Sequence, residues 1–254
     1  MKINFDLTGK IAIVSGASRG IGESIAVTLA DYGAEVILVS RKIDDLKTVE
    51  EKIKSNGGKA FSIAANIGKI EDITSLFKQV ADKYGKLDIL VNNAATNPYF
   101  GDVLNADEGV WDKTVDVNLK GYFFMSQYGA KMMIDNGGGS IINVSSINGV
   151  KPALFQGIYS ITKAGVISMT KSFAKELASK KVRVNALLPG LVATKFSSVM
   201  INNKDLMENL ILPQIPMHRA SQPDEMAGAV LYLASDASSF TTGATIVVDG
   251  GALA

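Results

Sequence analysis

The sequence predicts an α/β protein built on one doubly wound parallel sheet, with helices packed on both faces. Short apolar runs rich in β-branched residues alternate along the chain with stretches of helical length and periodicity. Strands buried on both faces read as continuous apolar runs, and parallel neighbours need crossover helices between them. No linker or internal repeat interrupts this alternation, so residues 1–254 are predicted to form a single domain.

Seven runs have the length and composition of buried strands. They are residues 11–15, 36–39, 60–64, 87–91, 140–144, 182–188 and 245–248. Two helices are clearly predicted, over residues 21–32 and 70–84, because apolar residues recur there at helical spacing. Each is followed by a glycine, Gly33 or Gly85, where a left-handed helix cap belongs.

Residues 191–217 break the alternation. This segment is apolar, rich in Met and Leu, and lies between Pro189-Gly190 and the prolines at 213 and 216. Loops of this length in a compact domain are usually functional. We therefore predict a lid over a substrate, and a plain surface excursion is the alternative.

Composition excludes several classes of function. Lys and Arg number 26 against 25 Asp and Glu, and a net charge of +1 offers no field for nucleic acid or an anionic membrane. The absence of cysteine excludes disulfides and thiolate catalysis, and with His218 as the one histidine we predict no metal site. No apolar run reaches the length of a membrane span and no secretory signal is recognised, so a cytoplasmic protein is predicted.

A glycine-rich turn follows the first strand and opens the first helix. It reads Ser15-Gly16-Ala17-Ser18-Arg19-Gly20-Ile21-Gly22, with the spacing G-x-x-x-G-x-G. Such a turn aims free helix N–H groups at an anion. Gly16 would turn the chain, Gly20 would admit a phosphate, and Gly22 would let the helix pack close to the sheet. The turn predicts dinucleotide binding, although many βα turns use glycine only to change direction.

The end of the second strand bears on the choice of cofactor. A carboxylate usually stands there to bind the adenosine ribose, but this strand ends in Ser40-Arg41. The guanidinium of Arg41 can bind a 2′-phosphate through two hydrogen bonds, and Arg19 in the glycine-rich turn is within reach to assist. We therefore predict NADP(H) in preference to NAD(H). The alternative is that Arg41 is a solvated charge at the start of a helix.

A second group of polar residues falls at the ends of later strands and on helices. Tyr159 and Lys163 are four residues apart and so share one helix face. Ser146 follows the fifth strand, Asn92-Asn93-Ala94-Ala95 ends the fourth, and Asn118 lies on the helix between them. The carboxyl ends of parallel strands meet at one edge of a sheet, so these side chains are predicted to converge there.

Taken together, these motifs resemble the short-chain dehydrogenase/reductase family in its compact branch, over essentially the whole chain. The resemblance implies a Rossmann fold and a catalytic tetrad of Asn118, Ser146, Tyr159 and Lys163. It also implies a set of cofactor-binding residues, namely Gly16, Ser18, Arg19, Gly20, Ile21, Gly22, Ser40, Arg41, Asn66, Ile67, Asn93, Ala94, Tyr159, Lys163, Pro189, Gly190, Val192 and Thr194. The chain departs from the family pattern at Ala95, usually glycine, and at Asn66, usually an acid.

The implied chemistry is hydride transfer between the nicotinamide and a carbonyl or alcohol. Tyr159 would act as the general acid, with its pKa lowered by the Lys163 ammonium. Ser146 would donate a hydrogen bond to the substrate oxygen, and the resemblance implies that Asn118 holds a water. By family position, Tyr99, Ile147, Asn148, Phe155 and residues 191–217 should surround a medium-sized, largely apolar carbonyl substrate.

Two other functions are open to the sequence. An NADP(H)-binding redox sensor without turnover would share the cofactor site but should lack a complete tetrad. Residues 16–20 also read G-x-S-x-G, so Ser18 with His218 suggests a serine hydrolase, although only one strand precedes this elbow.

A homotetramer, or at least a dimer, is predicted from the helix around residues 113–133. It carries an unusual number of large apolar side chains. They are Tyr122, Phe123, Phe124, Met125, Tyr128, Met132 and Met133.

Overall fold

The structure is a computed structural model that describes residues 4–254 and all of their side chains except that of Val199. Seven strands form one sheet in the order β3-β2-β1-β4-β5-β6-β7, and every neighbouring pair is parallel. The strands are β1 Ile11–Ser15, β2 Glu35–Ser40, β3 Lys59–Ala64, β4 Ile89–Asn92, β5 Gly139–Val144, β6 Val182–Pro189 and β7 Thr245–Val248. The predicted fold class is confirmed.

Nine α-helices connect and cover the strands in the part of the chain that the structure describes. They are α1 Gly20–Asp31, α2 Ile43–Ser55, α3 Ile70–Tyr84, α4 Glu108–Val115, α5 Gly121–Asp135, α6 Gly157–Leu177, α7 Ser198–Ile201, α8 Lys204–Leu206 and α9 Ala227–Ala234. Helices α4 and α5 run into one another through a π-helical turn at Asp116–Lys120.

Each face of the sheet has its own hydrophobic core. Ala12 and Val14 of β1 pack with α1, α2 and α9, whereas Ile11 and Ile13 pack with α3, α5 and α6. This alternation follows from the two-residue period of a strand. Strand order reverses between β1 and β4, which places a crevice outside their carboxyl ends.

Strand β4 is the element whose predicted bounds differ most from the structure. It begins at Ile89 rather than at Leu87. The residue before it, Asp88, exchanges two hydrogen bonds with Ile11, one from its backbone N–H (3.0 Å) and one through its carboxylate (2.9 Å). Ion pairs with Lys86 and Lys10 hold that carboxylate in place. The buried apolar character of Leu87 therefore reflects core packing rather than strand pairing.

The apolar face of residues 113–133 is smaller than predicted. The core on this side of the sheet encloses Tyr122, Met125 and Met133 completely. Phe123 is the exposed large side chain of this set, at 41%. The expectation that one sheet face could not cover these side chains is wrong for three of the seven.

Residues 191–217 form short helical turns instead of an extended loop. After α7 and α8 come a π-helical turn at Met207–Ile211 and a 3-10 turn at Leu212–Gln214. A bridge between Val192 and Ser221 anchors the start of the segment. No helix among residues 4–254 is long and apolar enough to cross a membrane. Those residues also contain no cluster of three potential metal ligands.

Candidate active site

One large cavity, of about 1050 Å³, opens at the carboxyl ends of β1, β4, β5 and β6. Its walls come from the glycine turn, the end of β2, the loops after β3, β4 and β5, the start of α6 and the 191–217 segment. Every predicted cofactor-binding residue lines it, as do Ser146, Tyr159 and Lys163. Of the tetrad, only Asn118 lies behind the wall, fully buried.

The glycine turn has the geometry of a close-fitting cradle. Gly16 and Gly20 have φ angles of +69° and +59°, in the region that glycine adopts without strain. A Cβ on Gly22 would lie 2.2 Å from the Gly16 carbonyl oxygen and 2.5 Å from Asn93 Nδ2. Arg19, the residue that precedes α1, gives the helix no side-chain cap, so the first N–H groups of α1 are left for another acceptor.

Ser15 ties this turn to the end of β4. Its hydroxyl donates to the Val91 carbonyl (3.3 Å) and accepts from the backbone N–H groups of Asn93 (2.9 Å) and Ala94 (3.1 Å). Asn93 Nδ2 donates in return to the Ser15 carbonyl (3.0 Å). No role was predicted for Ser15, because a serine at a strand end carries no signal of its own.

The far end of the cavity is lined by the residues predicted to receive adenosine. Arg41 is exposed there, and within residues 4–254 its guanidinium has no carboxylate within 4.0 Å. The first turn of α2 adds Asp45, which was not among the predicted site residues. Asn66 is held by its neighbours, since its Oδ1 accepts from Gly68 N–H (3.1 Å) and its own N–H donates to Asp72 (2.8 Å).

Tyr159 and Lys163 lie one turn apart on α6, beside Ser146 at the end of β5. Lys163 Nζ donates to the Val144 carbonyl (2.8 Å) and lies 5.6 Å from the centre of the Tyr159 ring. Burial lowers the pKa of Lys163 to about 7. Burial also raises the pKa of Tyr159 to about 12, against the opposing effect of a hydrogen bond with Ser146. Burial therefore outweighs the Ser146 hydrogen bond, and the expected lowering of the tyrosine pKa by Lys163 is not among the effects that act on Tyr159 here.

Asn118 sits in the π-helical turn and joins two parts of the site. Its Oδ1 accepts from Thr96 N–H (2.8 Å), and its Nδ2 donates to the Thr96 carbonyl (2.9 Å) and to Thr162 Oγ1 (3.3 Å). The side-chain amide thus fixes the loop after β4 against α6. A π-turn within a helix is often found at a functional site.

Apolar side chains dominate the half of the cavity near Tyr159. The Phe196 ring lies 5.8 Å from the Tyr159 ring, and Phe100 lies 6.0 Å from Phe155. Ile147, Asn148, Phe155 and the 191–217 segment contribute to the wall as predicted. The prediction for Tyr99 is wrong, because its hydroxyl donates to the Asp102 carbonyl (2.7 Å) and Phe100 takes its place in the cavity.

Comparisons with known proteins bear on this arrangement. A family model described as enoyl-(acyl carrier protein) reductase matches residues 16–252. Dehydrogenase/reductase SDR family member 4 of Oryctolagus cuniculus is 38% identical over 246 residues, which cover 97% of this chain and 94% of that protein. The chain belongs to the short-chain dehydrogenase/reductase family. The 3-oxoacyl-(acyl-carrier-protein) reductase FabG of Staphylococcus aureus is 39% identical over 244 residues, 95% of this chain and 97% of that protein.

Solved structures of the short-chain dehydrogenase/reductase family share the whole fold. The crystal structure of a gluconate 5-dehydrogenase from Burkholderia cenocepacia J2315, in complex with NADP and tartrate, has a TM-score of 0.94 to this chain. The two are 29% identical, with 99% of this chain and 98% of that chain covered. The protein is therefore an oxidoreductase of this family, and the family works with nicotinamide cofactors on small molecules.

The cavity fits such a cofactor on its own geometry. A Cβ at Gly16 or Gly22 would collide with backbone or with Asn93, so side chains are excluded where the turn packs against the end of β4. The uncapped start of α1 suits a diphosphate. The hydrolase alternative gains no support, since Ser18 lines this same turn and His218 is not among the residues of the cavity wall.

Proposed function

We propose that the protein is an NADP(H)-dependent carbonyl reductase in which Tyr159 is the general acid. One observation carries the proposal, namely that Ser146, Tyr159 and Lys163 share a single cavity with the glycine turn and Arg41. The proposal also covers residues 1–254 as one domain with a lid at 191–217. A redox sensor would use the same cofactor residues but would have no need of the tyrosine, lysine and serine.

The chain's own residues would bind and protonate the substrate oxygen. NADPH, when bound, supplies the hydride. Ser146 would donate a hydrogen bond to the carbonyl oxygen as negative charge builds there, and Tyr159 would give that oxygen its proton. A tyrosine with a pKa near 12 is protonated at neutral pH, which suits the direction of reduction. Lys163 would stabilise the resulting phenolate and bind the nicotinamide ribose, and Asn118 would hold the surrounding loop.

The cofactor would be held along the whole cavity. Gly16, Ser18, Arg19, Gly20, Ile21 and Gly22 would receive the diphosphate, and Ser40 with Arg41 the 2′-phosphate. Asn66 and Ile67 would contact adenine, and Asn93 and Ala94 the adjacent ribose. Pro189, Gly190, Val192 and Thr194 also line the cavity and would contact the nicotinamide amide and the diphosphate.

The substrate is proposed to be a medium-sized, largely apolar carbonyl compound. Phe100, Leu154, Phe155 and Phe196 line the relevant half of the cavity, and residues 191–217 would close over it.

A cytoplasmic location is part of the proposal, because reduction depends on the reduced NADP pool of the cell interior. A homotetramer is proposed as well, with the exposed Phe123 on α5 at an interface. Light scattering that reports a monomer at micromolar concentration would contradict it.

The decisive experiment is NADPH oxidation with a panel of ketones and aldehydes of increasing apolar length. Tyr159→Phe should lose roughly 10²–10⁴-fold in rate while still binding NADPH, because only the proton donor is removed. Tyr128→Phe is the matched control, since that hydroxyl contacts Thr74 (3.1 Å) and lies outside the cavity. Tight NADPH binding without turnover on any carbonyl would favour the sensor, and a Tyr159→Phe rate above a tenth of wild type would exclude Tyr159 as the acid.

A further inference from the structure

The backbone carbonyl of Val144, at the end of β5 in the candidate active site, accepts two hydrogen bonds. One comes from Lys163 Nζ (2.8 Å) and the other from the hydroxyl of Tyr122 on α5 (3.3 Å). Tyr122 is fully buried and does not line the cavity, so neither substrate nor cofactor can touch it. Its hydroxyl therefore reaches the site only through the acceptor that it shares with the lysine.

The Val144 carbonyl is available because the sheet ladder ends at this point. Ser145 N–H donates to the Leu187 carbonyl (2.8 Å), and in a trans peptide this turns the Val144 carbonyl toward the β4 side. There the next backbone donors, Asn93 and Ala94 N–H, are taken by Ser15 Oγ. A buried carbonyl without a ladder partner needs another donor.

The ring of Tyr122 makes a second contact with the lysine. Lys163 Nζ lies 5.1 Å from the ring centre, within range of a cation–π interaction. Such an interaction is strongest where water is excluded, and Lys163 is 1% exposed. Burial holds the pKa of Tyr122 well above its usual value, so its hydroxyl stays protonated and able to donate.

Few other groups act on the Lys163 ammonium. Among the residues that the structure describes, two tyrosine rings lie within cation–π range of it, Tyr122 from α5 and Tyr159 from α6. Strand β5 contributes the Val144 carbonyl, followed by the hydroxyls of Ser145 and Ser146. Across residues 4–254, no carboxylate comes within 4.0 Å of Nζ. The Tyr122 ring and the Val144 carbonyl are therefore the main groups that stabilise the buried Lys163 ammonium.

We propose that Tyr122 is a positioning residue that keeps Lys163 charged through its ring face and correctly placed through the shared Val144 carbonyl. The proposal rests on the proposed function, in which Lys163 supports Tyr159. The ring and the hydroxyl have separate effects. Removal of the Tyr122 ring should destabilise the Lys163 ammonium. Removal of the hydroxyl alone should leave Lys163 charged, but the Val144 carbonyl would then bind Nζ more tightly and hold it away from Tyr159.

The test measures the charge of Lys163 directly and does not depend on activity. Competitive labelling with a small acylating reagent across pH, read by peptide mass spectrometry, reports the pKa of each lysine. Tyr122→Leu should lower the pKa of Lys163 by about one unit, because a cation–π contact in a desolvated site is worth tenfold or more in the charging equilibrium. Tyr122→Phe and the control Tyr128→Phe should leave it within about 0.3 unit. An unchanged pKa in a folded Tyr122→Leu protein would overturn the proposal.

Kinetics separates positioning from general stability. Tyr122→Phe should lower kcat by roughly 3- to 10-fold with the KM for the carbonyl compound unchanged, since the side chain lies behind the cavity wall. If Tyr122→Leu does not fold, Tyr122→Phe is the deciding variant, and a kcat for Tyr122→Phe within twofold of wild type would refute the positioning role. A wild-type protein with no carbonyl reduction at all would instead contradict the proposed function, and the labelling result would still stand.

Discussion

Gly22→Ala should damage the cofactor cradle without touching any group that does chemistry. The added Cβ would lie 2.2 Å from the Gly16 carbonyl oxygen and 2.5 Å from Asn93 Nδ2. Normal contacts need well over 3 Å, so the start of α1 and the glycine turn must separate by about 1 Å. Because α1 directs its free N–H groups into the cavity, this displacement should misplace them relative to a bound diphosphate.

The size of the effect can be worked out for stability and for binding. Overpacking of this kind costs about 1–3 kcal/mol, and each kcal/mol shifts the Tm of a chain of this size by about 2–4 °C. The Tm should therefore fall by roughly 2–12 °C. Loss of one hydrogen bond to a charged phosphate costs about 1.5–3 kcal/mol, which weakens NADPH binding about 10- to 150-fold.

Fluorescence titration with NADPH and thermal unfolding by circular dichroism measure the two effects. Gly228→Ala is the matched control, because Gly228 lies in α9 and a Cβ there would meet no atom within 4 Å. Alanine in a helix is about 0.5–1 kcal/mol better than glycine, so this variant should melt slightly higher and bind NADPH normally. A Gly22→Ala protein with the NADPH affinity and Tm of the wild type would show that the glycine turn adjusts without cost. The close packing of Gly22 against the Gly16 carbonyl would then have no role in binding.

Two further predictions concern the cofactor and acid stability. Arg41→Ala should weaken NADPH binding about 10- to 150-fold and leave NADH binding nearly unchanged, and Ser40→Asp should shift the preference toward NADH. Steady-state kinetics with both cofactors measures the preference. An unchanged ratio of NADPH to NADH activity in Arg41→Ala would mean that Arg41 is only a solvated charge. Burial acts to raise the pKa of Glu50, but hydrogen bonds from Lys47 (2.9 Å) and Lys54 (2.6 Å) outweigh it and lower that pKa to about 2. A depressed carboxyl pKa stabilises the fold above the unfolded value of about 4.5, and this stabilisation is lost as pH falls toward 2. Between pH 5 and pH 2, the free energy of unfolding measured in urea should therefore fall by roughly 1–2 kcal/mol more in the wild type than in Glu50→Gln. This figure allows for the solvent around both lysines, which weakens the ion pairs. Equal losses in the two proteins would mean that the ion pairs of Glu50 contribute nothing to stability.

The helices and strands that follow one strong local rule were predictable from the sequence. Helix α3 has the predicted bounds, and Gly85 caps it with φ +65°. Strands β1 and β7 also match their predicted ranges. Strand β4 was misplaced at its start because Leu87 is as apolar as the strand that follows it. Only the contacts of Asp88 with Ile11 show where pairing begins.

At the candidate site, local motifs predicted which residues converge but not how they are held. The glycine turn and the Tyr159–Lys163 pair carry a recognisable spacing, and the resemblance to the family adds Ser146 and Asn118 to them. The roles of Ser15 and Tyr122 could not be predicted, since their hydrogen-bond partners lie 76 and 22 residues away. Tyr99 and Phe100 were equally suitable as pocket residues in the sequence, and the loop's own hydrogen bonding at Asp102 selects between them.

The sequence by itself determined the class of fold, the order of its elements and the residue types available for hydride-transfer chemistry. These depend on hydrophobic period and turn chemistry, which are properties of neighbouring residues. The tertiary structure decided the electrostatics and the supports of the site. Lys163 and Tyr159 are four residues apart in any helix, but only the fold buries both, and burial pulls the pKa of the lysine down and that of the tyrosine up. Desolvation depends on everything packed around a group, so no local pattern in the chain encodes it.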